Sequence, residues 1–198
     1  MEKSEQPRKA SPRVARRRAA TKKKIMQISS RMFSLMGFEA VKFEDIASAA
    51  DVARGTLYSY FKNKESLLEE ILTGVFGRAL QGIEKIKSSS PRDRVNELLH
   101  LYCDLWESDP EGLRVVHRFE ETPIEIGKNL YRNLSEKIEA IFHAAGQRGL
   151  LRSGDPHIAA QLFARTTIPS LEVLSEAEDF RDQFVEHLDS LLLVPRLA

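Results

Sequence analysis

Apolar residues recur at helical spacing along almost the whole chain, and this constrains the fold more than any other feature. Ile25, Ile28, Met32, Leu35 and Met36 fall at i, i+3, i+7, i+10 and i+11, the stripe of a helix that buries one face. Gly37 then predicts a stop, because glycine readily enters the left-handed conformation that ends helices. Leu67, Leu68, Ile71, Leu72, Val75, Phe76, Ala79, Leu80 and Ile83 trace a long helix, closed by "SSSP" at 88–91. Asn63 is its predicted N-cap, and Glu65 lies near its positive end. Val95, Leu98, Leu99, Tyr102, Leu105 and Trp106 define another helix, and a short segment from Leu113 to Phe119 follows. Ile126, Leu130, Leu134, Ile138, Ile141 and Phe142 belong to a long helix ending near Gly149. Ile158, Leu162 and Phe163 share the next, with Pro169 near its end, and Phe180, Phe184, Leu188, Leu191 and Leu192 share the last. No stretch alternates as a half-buried strand does. The expected fold is all-α with about nine helices.

The segment "FEDIASAADVARGTLYSYFKNKESLLEEI", residues 43–71, breaks this rhythm of long helices. Phe43, Ile46, Ala47 and Ala50 make one short apolar face. Asp51 interrupts it, and residues 54–60 make a second short element. Two short helices on a tight turn form a helix-turn-helix, here 43–50, a turn at 51–53, and 54–60. Aspartate tolerates the dihedrals such a turn needs. Val52 would point inward, and Ala47, Ala49, Ala50 and Gly55 would let the helices approach. The second helix of such a unit lies in the major groove with its N-terminal residues at base edges. Arg54 suits guanine, and the Thr56 methyl suits a thymine methyl. Tyr58, Tyr60 and Lys62 would sit near phosphates. Lys64 would do so from the first turn of the following helix, where backbone N–H groups favour an anion. Lys42 and Ser59 complete the candidate DNA-binding set, and Phe61 reads as core.

Charge points the same way. Residues 1–62 carry 14 Lys/Arg and 6 Asp/Glu, whereas residues 63–198 carry 16 and 23. A net of +8 against −7 suggests that the first third meets a polyanion. The longest stretch without Asp, Glu, Lys or Arg, "PHIAAQLFA" at 156–164, is nine residues long, whereas a membrane span needs roughly 20 apolar residues. The basic N-terminus is followed by no apolar run of the kind a secretory signal carries. Cys103 is the single cysteine, so no internal disulfide forms, which fits a cytoplasmic protein. No glycine-rich phosphate loop, Ser-His-Asp set or paired catalytic carboxylates stand out. His100 and Cys103 have i, i+3 spacing but no second ligand pair. Neither enzymatic activity, a cofactor, a metal nor a membrane partner is expected.

The run "GFEAVKFEDIASAADVARGTLYSYFKNKESLLEEIL", residues 37–72, resembles the N-terminal signature of the TetR family of bacterial transcriptional regulators. The resemblance is strong over about residues 18–76, where the three-helix head and the onset of the fourth helix fit in register. "EAIFHAAGQRGLLRSGDPHIAAQLFA", residues 139–164, is similar to the stretch where such regulators close one helix and open the dimer-forming pair. The turn departs from the family pattern in having Asp51 and Ala53 for Gly and Ser. Ala53 cannot cap the recognition helix as Ser would, a loss of about 1 kcal/mol. Val41 or Lys42 stands where the family has a phosphate-touching Thr.

Residues 1–16, with two prolines, two serines and scattered charges, read as a disordered basic arm. The resemblance makes residues 17–62 the DNA-binding head and 63–198 a helical domain for effector binding and dimerisation. In the family the last two helices build a four-helix bundle with a partner. Leu162, Leu171, Leu174, Phe184, Leu188 and Leu191 are the candidates for that homodimer face. The family's middle helices enclose an effector whose binding changes the spacing of the two heads and releases the operator. His100, Tyr102, Cys103, Trp106, Phe119, Tyr131, Phe142, Phe163 and Thr166 are the pocket candidates. Nine of the fifteen aromatic residues lie after residue 62, with no basic cluster among them. The expected effector is therefore a largely apolar small molecule, oriented by His100, Tyr131 or Thr166. The expected function is repression at a palindromic double-stranded DNA operator. The alternative is a helix-turn-helix protein without a small-molecule effector, answering to a protein partner or organising the chromosome.

Overall fold

A computed structural model describes residues 11–119 and 127–195. Every regular element among them is helical: α1 Pro12–Met36, α2 Phe43–Ala49, α3 Arg54–Tyr60, α4 Lys64–Ile83, α5 Pro91–Ser108, α6 Pro110–Phe119, α7 Lys128–Gly146, α8 Pro156–Leu174 and α9 Phe180–Leu192. The chain divides at Leu67/Leu68 into two compact units.

In the first unit, α1 starts earlier than expected. The Val14 N–H donates to Ser11 Oγ at 3.4 Å, and Pro12 follows the cap. Ser then Pro is a helix start, since proline's fixed φ suits the first turn. Residues 12–16, read from sequence as part of a disordered arm, are therefore helical; residues 1–10 lie outside the described residues. α1 buries Ile25, Ser29, Ser30, Phe33 and Ser34. Leu35 and Met36, expected on that face, are 67% and 55% exposed. Gly37 ends the helix at φ 83°, its N–H donating to the Phe33 carbonyl at 3.0 Å. Phe33, Val41, Ile46, Ala50, Leu57 and Phe61 are buried and form the core of this head. Asn63 caps α4 as expected. Its Oδ1 accepts from the Ser66 N–H at 2.8 Å, and its own N–H donates to Ser66 Oγ at 3.2 Å. Two otherwise orphaned donors are thereby satisfied.

In the second unit, α5 packs against α6, α7, α8 and α9, and α8 packs against α6, α7 and α9. Gly82 of α4 lies so close to Leu101 of α5 that a Cβ would collide with it. Leu98, Leu99, Cys103, Phe142, Phe163, Leu171, Phe184 and Leu188 are fully or nearly fully buried. The end of the chain is tied down by Arg92, itself 8% exposed, which pairs with Asp189 at 3.4 Å and donates to the Val194 carbonyl. A buried guanidinium left unpaired would destabilise the fold strongly, so these partners are required. Ile126, expected to open α7, lies outside the described residues. No helix among the described residues is long and apolar enough to cross a membrane.

Candidate nucleic-acid interface

The turn between α2 and α3 is built as its residues dictate. The Ala50 N–H donates to the Ile46 carbonyl at 2.9 Å, and the Val52 N–H donates to the Ala47 carbonyl at 3.0 Å. Between them Asp51 adopts φ 52°, a left-handed conformation that Asp reaches more easily than most residues. Val52 is half-buried against this bend. Neither short helix has a side-chain cap, because Lys42 and Ala53 occupy the capping positions. In α3, Leu57 alone is fully buried. Burying one leucine contributes about 1.5–3 kcal/mol, so this contact anchors the helix and leaves the rest of its surface outward.

That outward surface carries most of the candidates. Lys42, Arg54, Gly55, Ser59 and Lys62 are exposed, and Thr56 and Tyr60 are half-buried. Nothing lies within 4 Å of where a Gly55 Cβ would stand, so the backbone is bare here to an outside molecule. Tyr58 is 51% exposed and its ring meets Phe43 edge-on at 5.1 Å. Its hydroxyl donates to Glu44 Oε1 at 3.1 Å. The Glu44 carboxyl is held below the usual carboxylate range, first by a backbone N–H and then by Tyr58. The Tyr58 phenol is pushed up, chiefly by the same bond to Glu44. Ser59 Oγ donates back to the Thr56 carbonyl at 2.7 Å, which occupies its proton inside the helix.

One basic residue stands elsewhere than spacing suggested, and two further ones pack on this head. The Lys64 ammonium donates to the carbonyls of Phe38 at 2.8 Å and Val41 at 3.0 Å. It closes the α1–α2 loop from inside, instead of standing open to a phosphate. Arg18 lies 5.2 Å from the Tyr60 ring centroid and donates to the Ser59 carbonyl at 3.4 Å. Lys22 lies 5.7 Å from the Phe61 ring. Sequence reading missed Arg18, Lys22 and Glu44 as parts of this surface, since separations of 14 to 42 residues across a turn have no periodic signature.

The sequence profile of "Bacterial regulatory proteins, tetR family" matches residues 25–71, the segment that contains this turn. The head of this chain is a TetR-family N-terminal domain. An uncharacterized helix-turn-helix-type transcriptional regulator of Bacillus subtilis, YhgD, is 24% identical over 145 residues, covering 70% of this chain and 76% of its own. The repressor KstR2 of Mycolicibacterium smegmatis is 32% identical over 84 residues, 40% of each chain. Among solved structures, AibR in complex with isovaleryl coenzyme A and operator DNA superimposes with TM-score 0.71 at 20% identity, covering 89% of this chain and all of its own. TetR-family proteins are DNA-binding transcriptional regulators and not enzymes.

In the second unit, some pocket candidates come together. Tyr102 meets Phe163 edge-on at 5.0 Å, Phe142 lies 5.6 Å from Phe163, and Tyr131 lies 6.3 Å from Phe76. Burial pushes the Tyr102 phenol up, with Tyr131 as a second cause. Phe76 joins this cluster although the sequence reading gave it only a core role. The others stand apart. His100 is exposed, Trp106 is covered by Arg114 at 4.7 Å, and Thr166 donates to the Leu162 carbonyl at 2.7 Å. Cys103 is fully buried. The Phe119 side chain lies outside the described residues.

The dimer-face candidates need correction. Leu171, Phe184 and Leu188 have no exposed surface and belong to the core of the unit itself. Leu162, Leu174 and Leu191 are half-buried. The outward face of the last two helices is a groove of about 700 Å³ whose lining includes Arg165, Thr166, Pro169, Val173, Gln183 and His187. Val173 is 77% exposed there, and Ile158 of the same helix is 47% exposed. A helical stripe marks buried positions without saying which neighbour buries them, so the deepest leucines were assigned to the wrong one.

Proposed function

We propose that this chain is a cytoplasmic TetR-family repressor that binds a palindromic operator as a homodimer and releases it when a small, mostly apolar ligand binds. The observation that carries the DNA reading is α3 itself. It is held by Leu57 and leaves Arg54 and Gly55 exposed and Thr56 half-buried, while Lys42 before α2 and Lys62 after α3 are exposed too. A two-fold axis would pair two such heads on one duplex, and the groove on α8 and α9 with Val173 at its rim offers the apolar surface for the pairing. AibR, similar in fold, was solved with both an acyl coenzyme A and operator DNA, which supports ligand control. The ligand would enter by parting the Tyr102–Phe163–Phe142 rings.

The alternative, a regulator without a small-molecule effector, is favoured by those same ring contacts, which fill the middle of the bundle. Enrichment of randomised duplexes by the purified protein tests the first half of the proposal. The expected product is a motif with two inverted half-sites and affinity that falls steeply with salt. Absence of any enriched motif overturns the regulator reading. A panel of apolar compounds tests the second half. A ligand that raises the melting temperature and weakens operator binding supports release, and none doing so favours the alternative.

A further inference from the structure

Glu44 places a carboxylate on the surface that α2 and α3 share, where a phosphate-facing protein would ordinarily place a cation. Its Oε1 accepts from the Tyr58 hydroxyl at 3.1 Å, while Lys42 and Arg54 attract it electrostatically. The Tyr58 ring is in turn fixed edge-on against Phe43, 5.1 Å between centroids. The carboxylate is therefore tied to the recognition helix and does not swing free. An ionised carboxylate offers about four acceptor positions, of which Tyr58 and a backbone N–H take two. Phosphates repel it, so the partners a duplex can offer are exocyclic amino groups. In the major groove, Glu and Asp take the N4 amino group of cytosine. Adenine is a poorer partner for a carboxylate, because its N6 amino group stands beside the N7 acceptor.

We propose that Glu44 is a specificity-determining residue whose carboxylate reads the N4 amino group of a cytosine next to the base read by Arg54, with Tyr58 as the positioning residue that aims it. This inference rests on α3 being the recognition helix.

The test is enrichment of randomised duplexes by full-length wild type and by Glu44→Gln, Glu44→Ala and Tyr58→Phe. Circular dichroism confirms that each variant remains helical. The wild-type motif should contain a cytosine column beside the Arg54 column. Glu44→Gln should move that column to adenine, because the amide both donates and accepts and so pairs with N6 and N7. Glu44→Ala should relax it, with a loss of about 5- to 100-fold in discrimination at that position, and leave the other columns in place. Tyr58→Phe should keep cytosine but blur the preference. The isosteric Glu44→Gln decides the matter even if Glu44→Ala fails to fold. A wild-type motif that every Glu44 variant reproduces, with uniformly tighter binding, would show that the carboxylate only repels phosphates and would overturn the proposal alone. A wild type that enriches no motif would overturn the recognition-helix reading with it.

Discussion

The Lys64 ammonium donates to the Phe38 carbonyl oxygen at 2.8 Å and lies 4.2 Å from the centroid of the Phe38 ring. The same side chain thus uses its charge and its donors on one neighbour, and a further donor on Val41. Hydrogen bonds from charged groups contribute about 1.5–3 kcal/mol each when their partners have no replacement. Water can replace part of the loss at this half-buried site. Lys64→Ala should therefore lower the stability of the head by about 1–2 kcal/mol, read by thermal melting. A variant that melts like wild type but binds every duplex more weakly would return Lys64 to the phosphate-contacting role.

Arg54 and Lys62 should separate base reading from phosphate attraction. Both are exposed, so neither substitution disturbs the core. Arg54→Ala should cost about 1–3 kcal/mol and relax preference at one position per half-site. Lys62→Ala should weaken all duplexes alike and reduce the slope of log affinity against log salt by about 1. Binding titrations at several salt concentrations distinguish the two, and equal effects on specific and random DNA for Arg54→Ala would remove it from base reading.

Val173 and Leu188 should separate association from folding. Val173 is 77% exposed and Leu188 has no exposed surface. Val173→Glu should give folded monomers with weakened operator binding, seen by sedimentation and circular dichroism. Leu188→Ala should destabilise the chain by about 2–5 kcal/mol whatever the assembly state. A Val173→Glu protein that sediments as wild type does would move the interface away from this groove.

The helices themselves were legible because burial of one face writes a period into the sequence. Gly37 and Asn63 were equally plain, since their side chains, or lack of one, decide local geometry. Even Asp51 was readable as the turn residue, and it has the positive φ that the turn needs. Partners across space were not. The Lys64 contacts join residues 23 and 26 apart, and the Glu44 bond joins residues 14 apart. Period and composition carry no information about such pairs. The start of α1 was missed for a different reason. Ser11–Pro12 shares the composition of an arm, and only its order, Ser then Pro, marks a helix start.

Cys103 gives a test of the bundle's interior that involves no ligand. It is fully buried, and burial pushes its thiol up to about 11, opposed in part by Arg181. In the unfolded chain a cysteine ionises near 8.5. Above that pH the unfolded state gives up a proton that the folded state keeps. Stability therefore falls as pH rises from about 9 towards 11, and is unaffected by this group below that window. Two measurements check the sign. The native protein should react with a thiol reagent at pH 8 far more slowly than the denatured chain does. Denaturant midpoints should decline between pH 9 and 11 in wild type, and decline less in Cys103→Ala. Rapid native labelling at pH 8 would mean that water reaches the thiol through the bundle, and the packed interior drawn from Tyr102, Phe142 and Phe163 would have to open readily.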